Sequence, residues 1–200
     1  MRAVAALVVL ALGAASPALS QRAERPDVKP GDRWEFVVWH TVPSTTPNRT
    51  WLVDVVTPTN VRGTENGEPL LLTADLNVVD SPLVRSSNPT MLRFPLEVGR
   101  HWTYAEDYVF KPKNSAGRAV TDVMVVAHEK VVVPAGEFDA FRLEARIRLS
   151  GTTPIDSRVD ADAFTTYWYA PVARAVVKSV QRRPYLGPAT VELVTFALQQ

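Results

Sequence analysis

The sequence predicts an all-β protein: an antiparallel curved sheet, half-barrel or partly closed barrel or sandwich of about nine or ten strands, with no long helix in the mature chain. Three observations predict it. Proline and glycine punctuate the chain every ten to fifteen residues, from Pro30-Gly31 to Pro184 and Pro188, and read as turn or strand-edge markers. The stretches between them alternate with period two, the spacing of a half-buried strand. β-branched and aromatic residues fill those stretches, as a pleated surface prefers.

Residues 34–40 and 51–56 are the first short candidates. Leu70, Leu72, Ala74, Leu76 and Val78 then share one face of a single run. In 102–110, Trp102, Tyr104, Tyr108 and Phe110 lie on one face, with Glu106 as the interruption. Thr121, Val123, Val125 and Ala127 alternate with Asp122, Met124, Val126 and His128. The clearest run is 141–149: Phe141, Leu143, Ala145, Ile147 and Leu149 on one face, Arg142, Glu144, Arg146 and Arg148 on the other. A helix would scatter those charges around its circumference, so the strand wins over good helix formers. Residues 165–170, 173–181 and 191–198 complete the set. Short polar turns favour antiparallel pairing, because a parallel pair needs a crossover of about a dozen residues or more. The best hairpin joins 123–133 to 138–149 through Pro134-Ala135-Gly136. Residues 81–89 and 150–163 read as long loops, and 21–30 as an extended leader to a single β-domain over 31–200.

One internal echo stands out. Gly31-Asp32-Arg33-Trp34-Glu35-Phe36 has the same form as Gly99-Arg100-His101-Trp102-Thr103-Tyr104. It reads first as a common way to open a core strand, a glycine turn followed by paired aromatics. A duplicated half-sheet is the other reading.

The first twenty residues have the form of a secretory signal peptide. Arg2 supplies the positive end, residues 4–12 the apolar stretch, and Ala18 and Ser20 the small residues before a cleavage site. Arg2 is the one charge there, so 22 basic residues fall to 21 and balance 21 acidic ones. A neutral chain gives no electrostatic case for nucleic acid. No later run reaches about 18 apolar residues, so no transmembrane segment is expected once the signal is removed. With no cysteine in the sequence, disulfides, thiolate chemistry and lipid attachment at a cysteine are not expected. The resulting expectation is an exported, soluble periplasmic or extracellular protein that is not a lipoprotein.

Four pieces carry a family resemblance: Gly31 through Phe36; Phe94-Pro95-Leu96-Glu97-Val98-Gly99-Arg100-His101-Trp102-Thr103-Tyr104; Val132-Val133-Pro134-Ala135-Gly136-Glu137-Phe138-Asp139-Ala140-Phe141; and Tyr167-Trp168-Tyr169-Ala170-Pro171. Together they resemble the TapB-like proteins and a related domain-of-unknown-function family of exported bacterial β-proteins. The resemblance implies an antiparallel β-fold and an envelope location, and it implies no catalytic residue. Where the family carries a glycine-valine pair, Ala173-Arg174-Ala175-Val176 stands here, which implies a reshaped turn.

Recognised site chemistry is missing from the sequence. There is no glycine-rich phosphate loop and no nucleophile elbow. His40, His101 and His128 lack partners at metal-ligand spacing. Asp156, Asp160 and Asp162 fail the calcium-loop pattern and read as a solvated loop. Arg142, Arg146 and Arg148, interrupted by Glu144, read as a solvated face with cross-strand ion pairs. No catalytic residue, metal or cofactor is therefore expected. The aromatic face has functional potential: Trp34, Phe36, Trp102, Tyr104, Tyr108, Phe110, Tyr167 and Tyr169 are the candidate ligand-binding residues, and the competing reading makes them core. The function expected is a non-catalytic exported envelope protein that binds an apolar small molecule or an envelope protein partner through this curved face. A surface assembly protein using β-edge pairing is the alternative, and an uncharacterised hydrolase stands behind it.

Overall fold

The computed structural model describes residues 22–40, 48–152, 158–183 and 187–200; the expected signal segment and the loop residue Asp156 lie outside them. The described residues carry β-strands and two one-turn 3-10 helices, Lys111–Lys113 and Pro171–Ala173. A two-stranded ribbon pairs β1 (Arg22–Ala23) with β8 (Leu96–Glu97). The other strands are β2 (Arg33–His40), β3 (Arg49–Val56), β4 (Asn60–Glu65), β5 (Glu68–Thr73), β6 (Val78–Asp80), β7 (Val84–Ser86), β9 (His101–Phe110), β10 (Ser115–Val133), β11 (Gly136–Thr152), β12 (Arg158–Ala170), β13 (Ala175–Arg183) and β14 (Gly187–Ala197). These twelve form one closed antiparallel barrel, β14 pairing back onto β2.

The all-β antiparallel expectation holds. The half-open sheet of nine or ten strands is corrected to a closed barrel of twelve. Closure depends on pairs such as Phe36 with Leu193 and Trp34 with Phe196, far apart in sequence and invisible to local periodicity. The strands missed are those with too few residues to show an alternation, β6 and β7, and β4, which carries Asn60 and Gly63. The run expected over 70–78 breaks after Thr73. Thr73 N–H donates to Asn77 O at 2.8 Å, and Leu76 takes a left-handed φ of 63°. The loop expected over 150–163 is largely strand, because β11 and β12 stay paired from Ser150↔Asp160 out to Thr152↔Arg158. The Pro134 hairpin forms as expected, with Val133 opposite Gly136.

The barrel is one six-strand meander built twice. In the first copy Trp34 pairs with Trp51, Val53 pairs with Gly63, and a bulge separates Val53 from Val55. In the second, Trp102 pairs with Val123, Val125 pairs with Leu143, and a bulge separates Val125 from Ala127. The turns that open the copies match bond for bond. Gly31 N–H donates to Val53 O at 2.8 Å and Val53 N–H to Asp32 O at 2.9 Å; Gly99 N–H donates to Val125 O at 2.8 Å and Val125 N–H to Arg100 O at 2.9 Å. Both glycines sit at φ +91°, where a side chain would be strained. The match continues outward: Val61 faces Leu72 as Phe141 faces Tyr169, and the next register shifts fall between Leu71 and Leu72 and between Trp168 and Tyr169. The sequence echo is therefore a duplicated half-barrel, not an isolated core-strand opening.

Inward residues form the core and outward ones the solvated wall. Phe141, Leu143 and Ala145 are buried. On the opposite face Arg142 meets Glu144 at 2.6 Å, Arg146 meets Asp162 at 2.8 Å and Arg148 meets Asp122 at 3.6 Å, as the sequence reading has it. Exposed pairs of this kind contribute little stability, but they put charge on the outside of this wall, beside exposed Met124 and Phe164, and leave its inside apolar. A barrel that crosses a membrane has the opposite pattern. No helix among the described residues is long and apolar enough to cross a membrane.

The end of the barrel where β2 and β9 begin, called the base here, is packed shut. Residues 24–32 and 87–99 run across it and bury Val28, Leu92 and Leu96. Trp34 Nε1–H donates to Ala173 O at 2.8 Å and Trp102 Nε1–H to Thr90 O at 2.7 Å, so both indoles are satisfied as well as buried. The Asn77 amide clasps Leu92, donating to its O at 2.8 Å and accepting from its N–H at 2.6 Å. Fully buried Asp32 accepts from Lys29 N–H at 3.0 Å, Gln199 N–H at 2.7 Å and Arg174 Nη1 at 3.1 Å. The β10–β11 hairpin overhangs the same end, placing Phe138 6.0 Å from Phe196 and Ala135 N–H 3.0 Å from Leu193 O. The wall is thinnest at β6 and β7, whose ladder holds the single pair Asp80 and Arg85, with Ser81 N–H donating to Val84 O at 2.9 Å in the turn between them.

Candidate functional site

The eight aromatic residues singled out from the sequence divide by height in the barrel. Trp34, Phe36, Trp102 and Tyr169 sit near the base, each 7% exposed or less, and are core. Phe36 packs edge-on against Trp51 at 5.7 Å, and Tyr169 against Phe94 at 5.1 Å. Burial pushes the Tyr169 hydroxyl up in pKa; Arg174 opposes and Asp75 adds to this. Tyr104, Tyr108, Phe110 and Tyr167 lie farther from the base and are half-buried. The structure thus gives half of the candidate set a packing role and leaves the other half at a partly accessible inner surface.

Strand alternation puts Tyr104, Glu106, Tyr108 and Phe110 on one face of β9, in line above Trp102. Beside them β10 presents Thr121 opposite Tyr104, Ala119 opposite Glu106 and Gly117 opposite Tyr108. These small residues leave room for the large ones to lean over. A Cβ on Gly117 would stand 2.8 Å from the Tyr108 hydroxyl oxygen and 2.5 Å from Ser150 O, so Tyr108 reaches across β10 where only glycine fits. Ser86 of β7 pairs with Tyr108 from the other side.

The electrostatics of this row come from burial. Glu106 is held above the usual carboxylate range by desolvation, with a Ser86 hydrogen bond pulling the other way. Its Oε2 is buried and has no hydrogen-bond partner. Burial also pushes Tyr104 well up, with further contributions from Tyr167 and Glu106. Thr121, 1% exposed, has its Oγ1 without a partner by distance and angle, although its hydroxyl favours the ionised form of Tyr104. An open depression of about 490 Å³ lies against the wall at β5, β6, β7 and β9; Ser86, Tyr108 and Gly117 line it together with Leu71, Asp80, Arg85, Asp107 and Val109, while Glu106, Tyr104, Phe110 and Tyr167 do not.

Sequence reasoning passed over Glu106 as an interruption of an aromatic run. The available signal was its position: an acid on the inward face of an otherwise apolar strand must be desolvated. Ser86 and Gly117 carried no local signal, since their roles come from cross-strand neighbours. The histidines do not converge on this row. His101 is exposed at the start of β9, and His128 packs edge-on against Phe141 at 4.7 Å. Among the described residues no three His, Asp or Glu side chains come together in a way that would hold a metal ion.

No protein family and no curated protein matches the chain. Solved structures share its fold. A candidate lipoprotein of Parabacteroides distasonis aligns over 88% of this chain and 99% of its own, with TM-score 0.56 and 13% identity. A candidate exported protein with a YmcC-like fold from Bacteroides fragilis aligns over the same shares, with TM-score 0.54 and 16% identity. The antiparallel β-fold that the resemblance implies stands, while the TapB-like name finds no support in these matches. One expectation is overturned: a fold shared with a candidate lipoprotein is no basis for a location that excludes lipoproteins. The missing cysteine spoke only for lipid attachment within these residues, not for where the fold resides.

Proposed function

We propose that this protein is a non-catalytic envelope protein whose barrel holds a small ligand with an apolar body against Tyr104, Tyr108, Phe110 and Tyr167. The observation that carries the reading is the contrast along β9: Trp102 is buried, while the tyrosines beyond it are half-buried around an unpartnered carboxyl oxygen. Aromatic side chains with a few convergent polar groups are the usual lining of small-molecule sites. Fold neighbours described as exported proteins and lipoproteins support the envelope setting. Edge pairing has less to work with, because every barrel strand is paired on both sides.

The test is extraction of denatured protein purified from its native host, followed by mass spectrometry, alongside titration of the refolded barrel with a fluorescent apolar probe. A co-purifying small molecule near one per chain is expected, and the probe should compete with it. Empty protein with no saturable probe binding overturns the reading.

A further inference from the structure

We infer that Glu106 and the rings around it form a binding site for an organic cation, which makes the ligand proposed above an amine or quaternary ammonium compound. The inference rests on the ligand reading and adds charge to it. Glu106 shares a strand face with Tyr104, Tyr108 and Phe110, and Tyr104 feels both Glu106 and Tyr167. A carboxylate among aromatic faces is the arrangement that attracts a desolvated cation, by direct charge and through the ring quadrupoles.

Comparison of the two barrel copies makes the case specific. The residue equivalent to Glu106 in the first copy is Val38, two positions past Phe36 as Glu106 is two past Tyr104. The first copy thus carries an uncharged, half-buried side chain at that position, and an acid there is a departure. Another buried acid on a barrel strand, Glu65, has partners of its own: Trp51 Nε1–H donates to it at 3.1 Å and Arg49 lies 3.6 Å away. Glu106 has no basic neighbour among the groups that act on it. It is faced by Ser86 from β7, Ala119 from β10, and Tyr104 and Tyr108 from its own strand, with Tyr167 of β12 beyond Tyr104. A buried acid without a cation is costly unless it is neutral or a cation arrives.

The experiment titrates the full chain with choline and with its uncharged isostere 3,3-dimethylbutan-1-ol, by calorimetry at pH 8 and pH 4. Choline should bind about tenfold tighter or more than the alcohol at pH 8. The preference should shrink at pH 4, where Glu106 is protonated, and vanish in Glu106→Gln at both values. The pH comparison uses the unaltered protein, so it holds even where the variant folds poorly. Equal or tighter binding of the alcohol at pH 8 overturns the cation inference and leaves the apolar-ligand reading standing. A choline preference that survives in a folded Glu106→Gln protein overturns the role of Glu106. Binding of neither compound, together with empty protein in the extraction, overturns both.

Discussion

Replacing Asn77 with alanine is the sharpest test of how the base is held. The side chain is 5% exposed and acts as a surrogate peptide group for Leu92, with bonds of 2.8 and 2.6 Å. Alanine leaves the Leu92 N–H and C=O buried without partners. Each such group costs about 1–3 kcal/mol, so the loss should be about 2–6 kcal/mol. For a domain of this size 1 kcal/mol moves the melting midpoint by about 2–4 °C, so a drop of about 10 °C is expected. The effect should reach Trp102, because its indole donates to Thr90 O in the same segment. Near-ultraviolet circular dichroism would follow both the melt and the tryptophan environment. A midpoint within 2 °C of the parent, with an unchanged tryptophan band, would refute the claim that this clasp holds residues 87–99 in place.

Trp102→Ala should cost about 3–5 kcal/mol, read from urea midpoints, because a 5% exposed indole leaves a large cavity. Gly117→Ala should destabilise by about 1–3 kcal/mol and shift tyrosine absorbance, since the new Cβ meets both Ser150 O and the Tyr108 ring. Glu106 should give a pH signature. Unfolded, its carboxyl titrates near about 4.3, and burial raises it in the fold. Between the two values the folded state holds more protons, so Glu106 favours folding fully below the unfolded value and loses that contribution as pH rises through the folded one. Denaturant midpoints from pH 4 to 8 should fall for the parent relative to Glu106→Gln; parallel curves would contradict the burial of this acid.

The long strands were legible because their chemistry alternates. In 141–149 the arginines face out and the apolar residues face in, and the pairs with β12 leave that pattern intact. What was illegible is what depends on distant partners. Closure rests on β14 meeting β2, and no local signal marks it. Leu76 and Val78 continued an alternation by chance, while the Thr73–Asn77 turn redirected the chain beneath them. The candidate site shows the same division. An inward aromatic row could be read from spacing alone. Which of its rings were core and which remained accessible depended on the plug at the base, built from residues 24–32 and 87–99, segments with almost no periodicity.

The slender side of the wall has a consequence for kinetics. Backbone amides around Asp80 and Arg85 have few rungs to hold them, and the neighbouring β7 borders the row that contains Tyr108. Local opening requires the least free energy where cooperative support is weakest. Deuterium should therefore enter at residues 78–86 long before it reaches β10 and β11, as a few rungs part while the remaining staves stay zipped.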